Sequence, residues 1–224
     1  MSKKIISSVF TLLFVFCVYG QQDDARSKKI IDDMTAKFKT YPSLFLNFSA
    51  TVSLLQGKTE TEQEGKIWLK NNMMYKFELP NLVIYFDGSK IYHFMPEFNE
   101  VNIMPPDPDE NDEDFQMFNP QSYFNLSSKN FKSNLVRESV QNKRNVYEID
   151  LYPIQLKTTK FSRIRIMVEK STLQLVYLKA FMIDGIQYEL SFKPYDIQKN
   201  AYRDAFFKFN FLEHPNVEVI DLTF

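Results

Sequence analysis

The sequence predicts a mainly β (α+β) protein: one curved antiparallel sheet of about ten to eleven strands, with an N-terminal amphipathic helix and a short helical or apolar flap. Three observations carry this. The chain is 16% aromatic, with 22 Phe and 12 Tyr against five Gly, a mix that favours strands over helices. Long stretches alternate apolar and polar residues with a period of two. Turn pairs such as Asp87-Gly88 and Asp184-Gly185 punctuate those stretches.

The elements follow in order. Lys3 and Lys4 precede an apolar run, Ile5 to Val18, that is too short for a bilayer-crossing helix of ~20 residues. It reads as a signal peptide over residues 1–20, leaving Gln21 as the mature N-terminus of a single domain, 21–224. A lipobox at Cys17 lacks the small residue it needs, since Phe16 precedes it. From Asp24 to Tyr41, Ile30, Ile31, Met34 and Phe38 recur at helical spacing among charged residues, and Pro42 ends the run. Leu44, Leu46, Phe48, Ala50, Val52 and Leu54 then alternate with polar residues along a strand. A second strand from Gly65 continues its inner parity through Ile67, Leu69, Met73, Tyr75 and Phe77, and Leu82 to Phe86 and Lys90 to Met95 complete a meander.

Residues 105–114, PPDPDENDED, read as a solvated loop, and Phe115 to Leu126 as short helical turns or an apolar flap. Strands resume at Val146–Leu151, Ser162–Glu169, Gln174–Ile183 and Gln187–Pro194, with a further one expected at Phe206–Leu212 and a short tail at Val217–Leu222.

Composition and motifs narrow the chemistry. Loss of the signal peptide removes two lysines and no acid, which moves the formal charge from −1 to −3 and leaves no basic surplus for nucleic acid. The single cysteine departs too, so the mature chain has no thiol, disulfide or cysteine metal site. His93 and His214 share no motif, no G-x-S-x-G elbow occurs, and the glycines form no phosphate loop. Asp107, Asp109 and Asn111 fit the first ligand positions of a calcium loop, but Asp112 and Phe118 replace its glycine and closing glutamate. The sequence therefore implies no enzyme, no metal and no cofactor.

What remains is more apolar ring surface than a small sheet needs to close its core. A curved sheet with a partly filled concave side accounts for it, and such a cavity takes an oily ligand. The strand parities nominate Leu46, Phe48, Val52, Ile67, Leu69, Met73, Tyr75, Phe77, Tyr92 and Phe94 as its lining, and the flap supplies Phe115, Phe118, Tyr123 and Phe124 as a lid.

Particular residues resemble the outer-membrane lipoprotein carrier (LolA) family. They are Gly65-Lys66-Ile67-Trp68-Leu69-Lys70, then Asp87-Gly88-Ser89-Lys90-Ile91-Tyr92-His93-Phe94-Met95-Pro96 with Glu100-Val101, and a closing Phe209-Asn210-Phe211, Pro215, Val217, Val219 and Asp221. The resemblance runs from about residue 24 to 222. It implies an unclosed antiparallel β-barrel covered by helices and working in the periplasm. It also implies acylated lipoproteins as cargo, an inner-membrane ABC-type transporter as donor, and an outer-membrane protein or the outer membrane itself as acceptor, with the carrier a monomer. Another amphiphile, a free lipid or glycolipid, is the alternative cargo. Where the family commonly follows the strand lysine with Arg-Pro, this chain has Asn71-Asn72 after Lys70. Asn71 thus takes the position of an arginine thought to help hold the family's lid closed, and offers a hydrogen bond without charge.

Overall fold

The computed structural model describes residues 25–54, 59–70, 74–106, 119–126, 129–155 and 159–223. The expected signal peptide, the acidic run from residue 107, Asn71, Met73, Phe115 and Phe118 lie outside the described residues. Helix α1, Ala25–Phe38, buries Ser27, Ile30, Ile31, Met34 and Phe38 along one stripe, as the three-to-four spacing requires. Its end is closed by Lys39 N–H donating to the Thr35 carbonyl, shortly before Pro42.

Strands β1 (Ser43–Ser53), β2 (Thr59–Lys70), β3 (Met74–Leu79), β4 (Leu82–Phe86), β5 (Ile91–Met95) and β6 (Glu100–Met104) form a meander. After the short helix α2, Pro120–Phe124, the chain enters at the opposite edge. A second meander of β7 (Phe131–Gln141), β8 (Arg144–Pro153), β9 (Phe161–Glu169), β10 (Leu175–Met182) and β11 (Gln187–Phe192) then works back until β11 pairs with β1. Strand β12, Asp196–Gln198, adds to the start of β1, and β13, Glu218–Asp221, lies parallel to β6. The result is one sheet in the order β13-β6-β5-β4-β3-β2-β1-β11-β10-β9-β8-β7, whose two edge strands do not pair with each other.

The predicted class holds, with thirteen strands rather than ten to eleven. The run from Gly65 to Phe77 is two strands: Lys70 pairs with Met74 and Ile67 with Phe77, so the chain reverses between them while the inner parity survives. The strand expected at Phe206–Leu212 is instead two 3-10 turns, Asp204–Phe207 and Phe211–Glu213. Asn210 starts the second by accepting from Leu212 N–H, a local bond that competes with strand pairing. Strands β6 and β7 were not foreseen; β7 is an edge strand exposed along most of its length and shows no clean alternation.

Gly65 marks the tightest point of the sheet. It stands opposite Phe48, whose fully buried ring crosses the space a side chain would take. A Cβ there would lie 2.3 Å from Phe48 Cζ and 2.8 Å from the Glu78 carbonyl oxygen. Phe48 is held in turn against Phe77, with ring centroids 5.1 Å apart. Gly65→Ala is therefore expected to destabilise the protein by about 1–3 kcal/mol in urea unfolding. A loss below ~0.5 kcal/mol would show that the ring moves aside freely.

Candidate functional site

Directly paired side chains share one face of a sheet, so the register defines the inner surface. One row runs Leu46, Ile67, Phe77, Ile84, and the next Leu44, Leu69, Tyr75, Phe86, Ile91. Beyond β1 another row continues through Leu190, Leu178, Ile166 and Ile149. Leu46, Phe48, Ile67, Leu69, Tyr75 and Phe77 fall in one buried cluster, none more than 2% exposed. Val52 has the same parity but sits half-buried near the end of β1, outside that cluster.

Two helices cover this face. Phe38 of α1 stacks on Phe124 of α2, with centroids 4.7 Å apart and planes 12° from parallel. Phe124 also meets Phe192 at 5.5 Å and Tyr195 at 5.8 Å, so one ring joins both helices to the sheet. Helix α2 begins with Pro120 and is capped by Asn119, whose side chain accepts from Gln121 N–H. Its exit is tied to α1 where Thr35 Oγ1 donates to the Leu126 carbonyl at 2.8 Å. Tyr123 and Phe124, expected as lid residues, thus lie in the same cluster as the inner face.

Tyr92 and Phe94 lie elsewhere. Ile91 takes the inner side of β5, and alternation then turns Tyr92 and Phe94 outward, opposite Tyr85 and Val83. There they join Val101 and Phe209 in a separate cluster. Phe209 packs 5.2 Å from Phe94 and 6.1 Å from Tyr92, with the His214 ring stacked on it at 4.9 Å. Those rings anchor the C-terminal segment and leave the inner face to others. The residues missed at the inner face are Ile84, Ile91, Phe192, the inner rows of β8–β10 and the buried stripe of α1. Their signal was present in the alternation, but apolar core and apolar site look alike in sequence.

Burial alone pushes the Tyr75 phenol well above the usual tyrosine range. Burial also lifts Tyr123, with a smaller contribution from Tyr75. Both therefore remain neutral and able to donate hydrogen bonds. A cleft of about 360 Å³ on the outer face is lined by Asn47, Glu64, Lys66 and Glu78 together with Leu79, Pro80 and Val83. Among the described residues, no group of three or more His, Cys, Asp or Glu could hold a metal ion, and no helix is long and apolar enough to cross a membrane.

These features define an open, curved antiparallel sheet whose apolar inner face is covered by one long and one short helix. No family model matches the sequence, and no curated protein sequence matches it. Solved structures do share the fold. An uncharacterised conserved protein of Thermus thermophilus is 9% identical, with a TM-score of 0.55 over 88% of this chain and 99% of that one. The Mycobacterium tuberculosis lipoprotein LppX is 9% identical, with a TM-score of 0.51 over 80% and 100%. A LolA superfamily protein of Nitrosomonas europaea is 11% identical, with a TM-score of 0.42 over 83% and 98%. The likeness to these solved structures is one of fold, an open antiparallel sheet with helices on one face.

Proposed function

We propose that this chain is a non-enzymatic carrier in the periplasm that holds the acyl chains of lipoproteins and shuttles them from the inner to the outer membrane. The observation that carries the reading is the continuous apolar inner face of a sheet with unpaired edges, covered by helices that share one aromatic contact through Phe124. An acyl chain of about fifteen methylenes gains on the order of 12 kcal/mol on leaving water, so lipidated cargo needs comparable apolar cover to cross an aqueous gap. Entry requires α2, and the end of α1 it touches, to move off the sheet. The signal peptide at residues 1–20 would deliver the chain to that compartment. An ABC-type transporter would load it and an outer-membrane acceptor would unload it.

The test is extraction of the protein purified from its own envelope, followed by mass spectrometry of what it carries. Diacylglyceryl-modified peptides are the expected result. Free phospholipid or glycolipid alone would move the reading to a carrier of another amphiphile, and an empty protein from a lipoprotein-rich envelope would overturn it.

A further inference from the structure

Helix α2 carries polar atoms in a place where an oily plug would need none. Tyr123 is 7% exposed and belongs to the apolar cluster, yet its hydroxyl has no hydrogen-bond partner among the described residues. The same holds for Gln121 Nε2 and Asn125 Oδ1, both buried at the atom level on either side of it in sequence. Buried tyrosine hydroxyls ordinarily find a partner, and leaving one bare is unfavourable. Two partly buried tyrosines keep that rule: Tyr195 donates to the Leu175 carbonyl at 2.7 Å, and Tyr177 donates to Glu189 at 2.8 Å. Phenylalanine at 123 would fill the same space without the polar atom.

We infer that the Tyr123 hydroxyl is a hydrogen-bonding station for the carbonyl-bearing linkage of an acylated ligand. Saturated chains present nothing to this atom. A ligand whose chains are joined through ester or amide carbonyls presents an acceptor to the Tyr123 hydroxyl. Burial, and to a smaller extent the phenol of Tyr75, raise the Tyr123 phenol above its ordinary range, so it remains a donor. The apolar rows would then hold the chains while the lid reads the joint between them, so that ester- or amide-linked lipids are preferred over bare hydrocarbon of equal length. This inference rests on the carrier reading and specifies its ligand.

The experiment compares binding of dioctanoylglycerol with that of its ether-linked counterpart, which has the same chains and no carbonyl. The intact protein should prefer the ester by about tenfold, the effect of one buried hydrogen bond lost. Tyr123→Phe should erase most of that preference, read as the ratio of ester to ether affinity, and raise the unfolding midpoint of the free protein, because it removes a bare hydroxyl. Equal affinity of the intact protein for the two probes overturns the station and leaves the carrier reading standing. A Tyr123→Phe protein that keeps its preference, or is less stable, also overturns it. Failure of both probes to bind, at concentrations below their aggregation limit, counts against the carrier reading itself.

Discussion

Arg165→Ala is expected to destabilise the protein by about 3–5 kcal/mol, the range for removing one partner from a buried ion network. On the outer face of β8, Glu148 and Asp150 are buried, with side chains 2% and 5% exposed. Arg165 on β9 serves both. Its Nε and Nη2 donate to the two Asp150 carboxylate oxygens at 2.7 and 2.9 Å, and its Nη1 lies 3.0 Å from Glu148 Oε1. Arg163 shares Asp150 Oδ2 at 3.1 Å, and Arg137 takes Glu148 Oε2 at 2.6 Å. Arg137, however, is two-thirds exposed and gives its bond to a carboxylate that stays buried. Without Arg165, two carboxylates face a half-neutralised, water-poor surface. Urea unfolding of the variant measures the loss, and a change below about 1 kcal/mol would mean that water reaches both acids.

Phe124→Ala should act through the cover rather than the sheet. The ring is 2% exposed and bridges Phe38, Phe192 and Tyr195. Deleting a buried phenylalanine of this kind costs about 3–5 kcal/mol when the surroundings cannot collapse. Part of that loss is expected as opening of α2, since a helix of five residues has little stability apart from the contacts its side chains make. The variant should therefore bind an apolar fluorescent dye while its far-ultraviolet circular dichroism stays that of the native sheet. A variant as stable as the parent and blind to the dye would show that Phe124 does not hold the cover down.

The period-two pattern of β1 made the inner face legible because one face of that strand is buried and the other wet, and pairing then carried the parity into β2 and β3. Parity could not be transferred to β5 in the same way. Tyr92 and Phe94 are large and aromatic like true inner residues, but the C-terminal segment supplies a second apolar layer on the outside. Sequence alternation says that two faces differ, and where both are apolar it no longer says which is which. The C-terminal turns were obscured for a related reason: Phe207, Phe209 and Phe211 alternate as a strand would, while Asn210 fixes a tight local bond. The polar atoms of α2 were visible only as letters in an apolar stretch, and their want of partners is a property of packing.

Strand β1 joins the two meanders, and this fixes when each half can fold. Within a meander almost every pairing is between neighbours in sequence, such as Leu79 with Leu82 or Gln141 with Arg144. The seam is different: Thr51 must find Glu189, roughly two-thirds of the domain's length away. Hairpins form quickly and long-range pairings slowly, so each half should assemble on its own and the seam close last. Until it does, β1 offers eleven residues of open edge with Leu44, Leu46 and Phe48 uncovered on one side. A newly made chain is then most prone to aggregation, and a folding helper that masks β1 would have its largest effect in that interval.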